Sequence, residues 1–150
     1  MNKKKQKYLI VSAGILFLLA GAALFVFLRK PVSHYEYPVT PDSPQWRELT
    51  SHAQMVEACR IPSGTLDKMT DEALCKAVVE YPLIADIFAN PVMDKEWSKQ
   101  VLETRCDAFT ELKARDSLNV LRDYLSGIQG DDTLEGMVRE ELKVILQEYV

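Results

Sequence analysis

Residues Leu9 to Leu28, LIVSAGILFLLAGAALFVFL, carry no charged side chain and one polar one, Ser12. A 20-residue helix rises about 30 Å, the thickness of a bilayer's hydrocarbon core. This stretch is therefore expected to form a single transmembrane helix, and it constrains where the rest of the chain folds. Lys3, Lys4, Lys5 and Lys7 precede it, while Arg29 and Lys30 follow it. More basic residues on the amino-terminal side favour a cytoplasmic tail over residues 1–8 and export of everything after the span, an arrangement known as a signal anchor.

Charge divides the chain at the same place. Residues 1–30 hold six of the 18 basic residues and none of the 22 acidic ones, which leaves −10 on residues 31–150 within a total of −4. An acidic domain has no electrostatic reason to bind nucleic acid or an anionic lipid surface. The alternative reading is a cleaved secretory signal, because Ala20-Gly21-Ala22 has the small–x–small form of a cleavage site. Against it, Leu24 to Leu28 continue the apolar run up to Arg29-Lys30. Both readings export residues 31–150. Ala13, Gly14, Ala20 and Gly21 recur at a spacing of seven, so homo-association through the span is a further candidate property.

Residues 29–43 read as an extended, proline-rich linker punctuated by Pro31, Pro38 and Pro41. His34-Tyr35-Glu36-Tyr37 alternates ring and polar side chains within it. A solvated spacer is the leading expectation, and packing back on the domain is the alternative.

Residues 44–150 are expected to be all-α, a compact bundle of about six short-to-medium helices. Ser43 caps a helix opened by Pro44, with Trp46, Leu49, Ala53, Val56 and Cys59 as one stripe and Pro62 as its stop. A short turn follows from Ser63-Gly64 through Leu66 and Met69. Thr70 caps the next helix, with Asp71 and Glu72 in its first turn and Ala73, Leu74, Ala77, Val78 and Tyr81 facing inward. Pro82 starts a short helix carrying Leu83, Ile84, Ile87 and Phe88, which Asn90-Pro91 stops. The longest helix of the domain is predicted from Asp94 to about Ala114, with Trp97, Val101, Ala108 and Leu112 on one face and Leu102, Cys106 and Phe109 beside it. Asp116 or Ser117 caps a helix with Leu118, Leu121, Tyr124, Leu125 and Ile128 inward. Asp132 and Glu135 have capping-box spacing before the stripe Leu134, Val138, Leu142, Ile145, Tyr149. No useful length alternates with period two.

Chemistry is sparse in the pattern. Cys59, Cys75 and Cys106 all sit on or beside apolar stripes, which favours buried thiols. In an exported domain, Cys59 and Cys75 are the candidate disulfide pair. His34 and His52 are the only histidines, and neither has a local motif linking it to a cysteine. The chain has no CxxC, HExxH, calcium loop, phosphate-cradling glycine loop or GxSxG elbow. No catalytic, cofactor-binding or metal-ligating residue is therefore predicted. Asp86, inside Leu83-Ile84-Ala85-Asp86-Ile87-Phe88, is the one acid set apart as a candidate polar site. Helical spacing points it away from Ile84 and Phe88, toward water or a structural partner.

The succession Ala58-Cys59-Arg60-Ile61-Pro62, then Met69-Thr70-Asp71-Glu72-Ala73-Leu74, then Tyr81-Pro82-Leu83-Ile84-Ala85-Asp86-Ile87 resembles a family of uncharacterised, exported, membrane-anchored helical proteins of Gram-positive bacteria. The resemblance covers about residues 56–125. Arg105, Phe109 and Leu112 match that family's following Arg-x-x-x-Phe/Leu-x-x-Leu helix, and Cys106-Asp107-Ala108 departs from it. The resemblance implies an extracytoplasmic helical domain and no particular reaction.

The leading functional expectation is a non-enzymatic interaction module, tethered to the membrane and displayed outside the cytoplasm, with another protein or a cell-envelope component as partner. The rival expectations are an enzyme of unrecognised type that uses Asp86 or a cysteine in an interhelical pocket, and a secreted protein with a cleaved signal.

Overall fold

The structure, a computed structural model, describes residues 30–89, 95–128 and 134–149. The chain divides into two units, Met1–Pro31 and Val32–Val150. The expected span and the signals at Asn90-Pro91, Asp94 and Asp132 lie outside the described residues. Among the described residues no helix is long and apolar enough to cross a membrane.

The second unit is all-α. Its described helices are α1 (His52–Ala58), α2 (Ser63–Leu66), α3 (Asp71–Val79), α4 (Lys95–Arg105), α5 (Asp107–Ala114), α6 (Leu118–Gly127) and α7 (Leu134–Leu146). Three 3-10 turns, Pro44–Glu48, Ile84–Phe88 and Gln147–Tyr149, accompany them. No strand occurs among the described residues, only a single parallel bridge between Val32 and Met69.

Helix α3 lies at the centre, against α5 and α6. Thr70 caps it by accepting the Ala73 N–H, and Asp71 and Glu72 complement its amino-terminal dipole. The expected inward residues Ala73, Leu74, Ala77, Val78 and Tyr81 are all buried. Leu102, Phe109, Leu112, Leu121, Leu125, Leu142 and Ile145 close around them. Truncating a ring such as Phe109 to alanine removes about 3–5 kcal/mol from a core of this kind.

Three expectations about the elements are corrected. The first helix is not continuous: the Pro44–Glu48 turn ends at Leu49 in extended conformation, and α1 begins anew behind Ser51. Ser51 and Gln54 form a reciprocal capping box there, and Gln54 also accepts from the Thr50 N–H and hydroxyl. Ala53, placed on the predicted stripe, is exposed.

The long helix through Ala114 is likewise broken, at Cys106, whose backbone is extended between α4 and α5. The carboxylate of Asp107, first residue of α5, accepts from the Ile61 N–H at 2.8 Å and from Arg60 Nη1 at 2.6 Å. Arg60 Nη2 donates to the Thr104 carbonyl near the end of α4. These bonds satisfy groups that a straight helix would have placed elsewhere.

The expected solvated spacer is extended, but from Val32 it packs on the domain. The Val32 N–H donates to the Lys68 carbonyl, and the Val32 carbonyl accepts from the Thr70 N–H. Tyr35 and Tyr37 meet edge to face, and Tyr37 meets Tyr81 in the same way. Tyr37 is only 8% exposed and donates to the Ala77 carbonyl at 3.0 Å. His34 and Glu36, between and before the rings, stay exposed. Large ring area on one side of an extended segment outweighs the prolines' preference for solvent.

Candidate functional site

Asp86, singled out in the sequence, sits on the Ile84–Phe88 turn and joins three elements. One carboxylate oxygen, Oδ2, accepts from His52 Nε2 at 2.7 Å and from Arg105 Nη1 at 2.9 Å. His52 opens α1 and Arg105 ends α4. The Trp97 indole N–H donates to the Asp86 carbonyl, and the Arg105 guanidinium lies 5.5 Å over the Trp97 ring. Ser98 donates to the carbonyl of Ile87. The carboxylate is 18% exposed and the imidazole 49%. Asp86 is partly exposed, and its carboxylate meets the His52 ring and the Arg105 guanidinium there. With both donors on one oxygen and Arg105 balancing the charge, the cluster fastens the turn to α1 and α4.

The cysteines give a different picture. All three are buried and unbonded in the structure, Cys59 and Cys75 of the expected pair included. Burial pushes the Cys59 thiol up to about 11, with the charge of Asp86 adding to it. Burial likewise pushes Cys75 and Cys106 up to about 12. Thiols held protonated at neutral pH are poor nucleophiles.

A cleft lies elsewhere, among the ends of α5 and α7 and the start of α6. It has a volume of about 570 Å³ and presents Lys113, Asp116, Asn119 and Arg122 above Leu118 and Tyr149. One wall is locked. Lys113 Nζ donates to Glu103 Oε1 at 2.6 Å, the Tyr149 hydroxyl donates to the same oxygen, and the ammonium lies over the Tyr149 ring. These bonds hold the Glu103 carboxyl below its usual range. Arg122 makes no ion pair among the described residues. Asp116 has φ 57°, a left-handed conformation that Asp tolerates better than most residues.

Neither Asp86 nor any cysteine lines this cleft. Among the described residues no three of His, Cys, Asp and Glu gather as a metal site would require.

Sequence reasoning missed the cleft. Tyr149 belonged to a core stripe, and Lys113, Asn119 and Arg122 were singled out by no pattern. Lys113 comes from α5, Asn119 and Arg122 from α6, and Tyr149 from the turn after α7.

A second polar hub was also missed. Arg115, at the end of α5, donates to Glu111, to Asp71 and to the carbonyls of Leu66 and Met69. Ser117 donates to the other oxygen of Asp71. The partners are separated by 44 to 49 positions from Arg115 except for Glu111, so no local motif announces them.

No protein-family model, curated protein or solved structure matches this sequence.

Proposed function

We propose that the protein is a membrane-anchored, extracytoplasmic helical module that binds another protein or a cell-envelope component and performs no chemistry of its own. The observation that carries this reading is the uncharged stretch Leu9–Leu28, with four lysines ahead of it and a net −10 domain behind it. The structure of the second unit supports a display role. Its candidate polar groups are committed to bonds between elements: Asp86 to His52 and Arg105, Asp107 to Arg60, Asp71 to Arg115. Its cysteines are all buried. The domain begins at Val32, so Arg29, Lys30 and Pro31 are the only residues between the end of the apolar stretch and the first docked residue.

The test is protease accessibility of a carboxy-terminal tag in intact cells, together with membrane fractionation and crosslinked pull-down. Membrane-bound protein, a tag cleaved without lysis and a specific partner are expected. A tag shielded until lysis, or product in the cytosol, overturns the reading. Amino-terminal sequencing of the mature product separates an anchor from a signal cleaved after Ala22.

A further inference from the structure

Cys59 ends α1, and Cys106 is the break between α4 and α5. The residues that follow them are bonded to each other: Arg60 to Asp107 at 2.6 Å, with the Ile61 N–H on the same carboxylate at 2.8 Å. This double tie draws the two cysteine-bearing backbones together from outside, while both side chains turn into the core. Inside, Cys59 and Cys106 share the core with the rings of Tyr37 and Tyr81. The Tyr81 hydroxyl, buried among them, has no hydrogen-bond partner among the described residues. Cys75 lies within α3 and has no neighbour in this tie.

We propose that Cys59 and Cys106 form a disulfide when the domain folds in an oxidising compartment, leaving Cys75 as the unpaired thiol. The proposal rests on the export reading for its setting, and on the Arg60–Asp107 tie for its pairing. Both thiols are closed off in the finished fold, so the bond forms while α1 and the corner are coming together. The oxidant is the disulfide of an envelope oxidoreductase or of oxidised glutathione. Two S–H bonds break and one S–S bond forms. The two electrons and two protons pass to the oxidant, whose disulfide opens to two thiols. The odd cysteine is then Cys75, whose burial within α3 keeps it out of exchange.

The pairing is tested in vitro on the full chain in detergent. It is reduced, unfolded, refolded with a mixture of oxidised and reduced glutathione, alkylated, and mapped by mass spectrometry after digestion. The expected product is a Cys59–Cys106 linked peptide lacking two hydrogens, with Cys75 alkylated. Cys75→Ala keeps the bridge, and Cys59→Ala or Cys106→Ala abolishes it. A dominant Cys59–Cys75 or Cys75–Cys106 peptide, or three alkylated cysteines, overturns the pairing. The same mapping on protein from cells separates the two readings. A tag accessible from outside with reduced Cys59 and Cys106 refutes the disulfide. A shielded tag refutes export, and the refolding result then decides the pairing alone.

Discussion

At the corner between α4 and α5 the acid is local and the cation comes from afar. Asp107 opens α5 and is met by Arg60 and the Ile61 N–H from beyond the end of α1. At the corner between α5 and α6 the cation is local and its acceptors come from afar. Arg115 reaches the carbonyls of Leu66 and Met69 and the carboxylate of Asp71, while Ser117 covers the other oxygen. A guanidinium offers five donors in a fixed fork, so one side chain can close two carbonyls and two carboxylates. A carboxylate at a corner gathers fewer partners. The second corner therefore depends more heavily on one residue than the first.

The largest effect expected from this asymmetry is that of Arg115→Ala. It removes one donor from each of two backbone carbonyls and from one oxygen of Asp71, and should cost about 3 kcal/mol in urea unfolding. Arg115→Lys should recover less than half of that, because a single ammonium cannot span the same acceptors. Asp107→Ala should cost less, about 2 kcal/mol, since it frees one backbone N–H and one partly exposed arginine. Equal losses at the two corners would refute the asymmetry.

The smallest effect concerns the brace across the first corner, where Glu103 of α4 holds Lys113 of α5 and the Tyr149 hydroxyl. The Glu103 carboxyl is held below its ordinary value of 4.5 in the fold, chiefly by the hydrogen bond from Lys113. The folded state therefore releases this proton more readily than the unfolded chain does. The resulting stability is complete above the ordinary glutamate value and is lost as pH falls through the lower, folded one. Glu103→Gln should flatten that acid limb of the unfolding profile, and an unchanged limb would remove the brace from the account.

What could be read from the sequence was local. Thr70 and the stripe from Ala73 to Tyr81 define α3 because cap, dipole and period agree within twelve residues. The last stripe likewise marks α7 and the turn after it, with Val138, Leu142 and Ile145 buried as spaced. The break at Cys106 left no such mark. The apolar period runs straight through it, and the partners that tie Asp107 there, Ile61 and Arg60, lie 46 and 47 positions from that residue. The break at Leu49 was written in Ser51 and Gln54, but the stripe from Trp46 to Cys59 masked it. Asp86 was recognisable as unusual because it interrupts an apolar run. Its partners, 34 and 19 positions away, were not.

Tyr37 has a consequence for the order in which the molecule is made. Its acceptor on Ala77 and its ring neighbour Tyr81 are synthesised about forty residues later. Until they arrive, two tyrosines near the start of the domain have no place to settle, and the leading segment stays open to proteases and chaperones. The earliest part of the domain to emerge is thus among the last to find its seat, and its docking signals that α3 has formed.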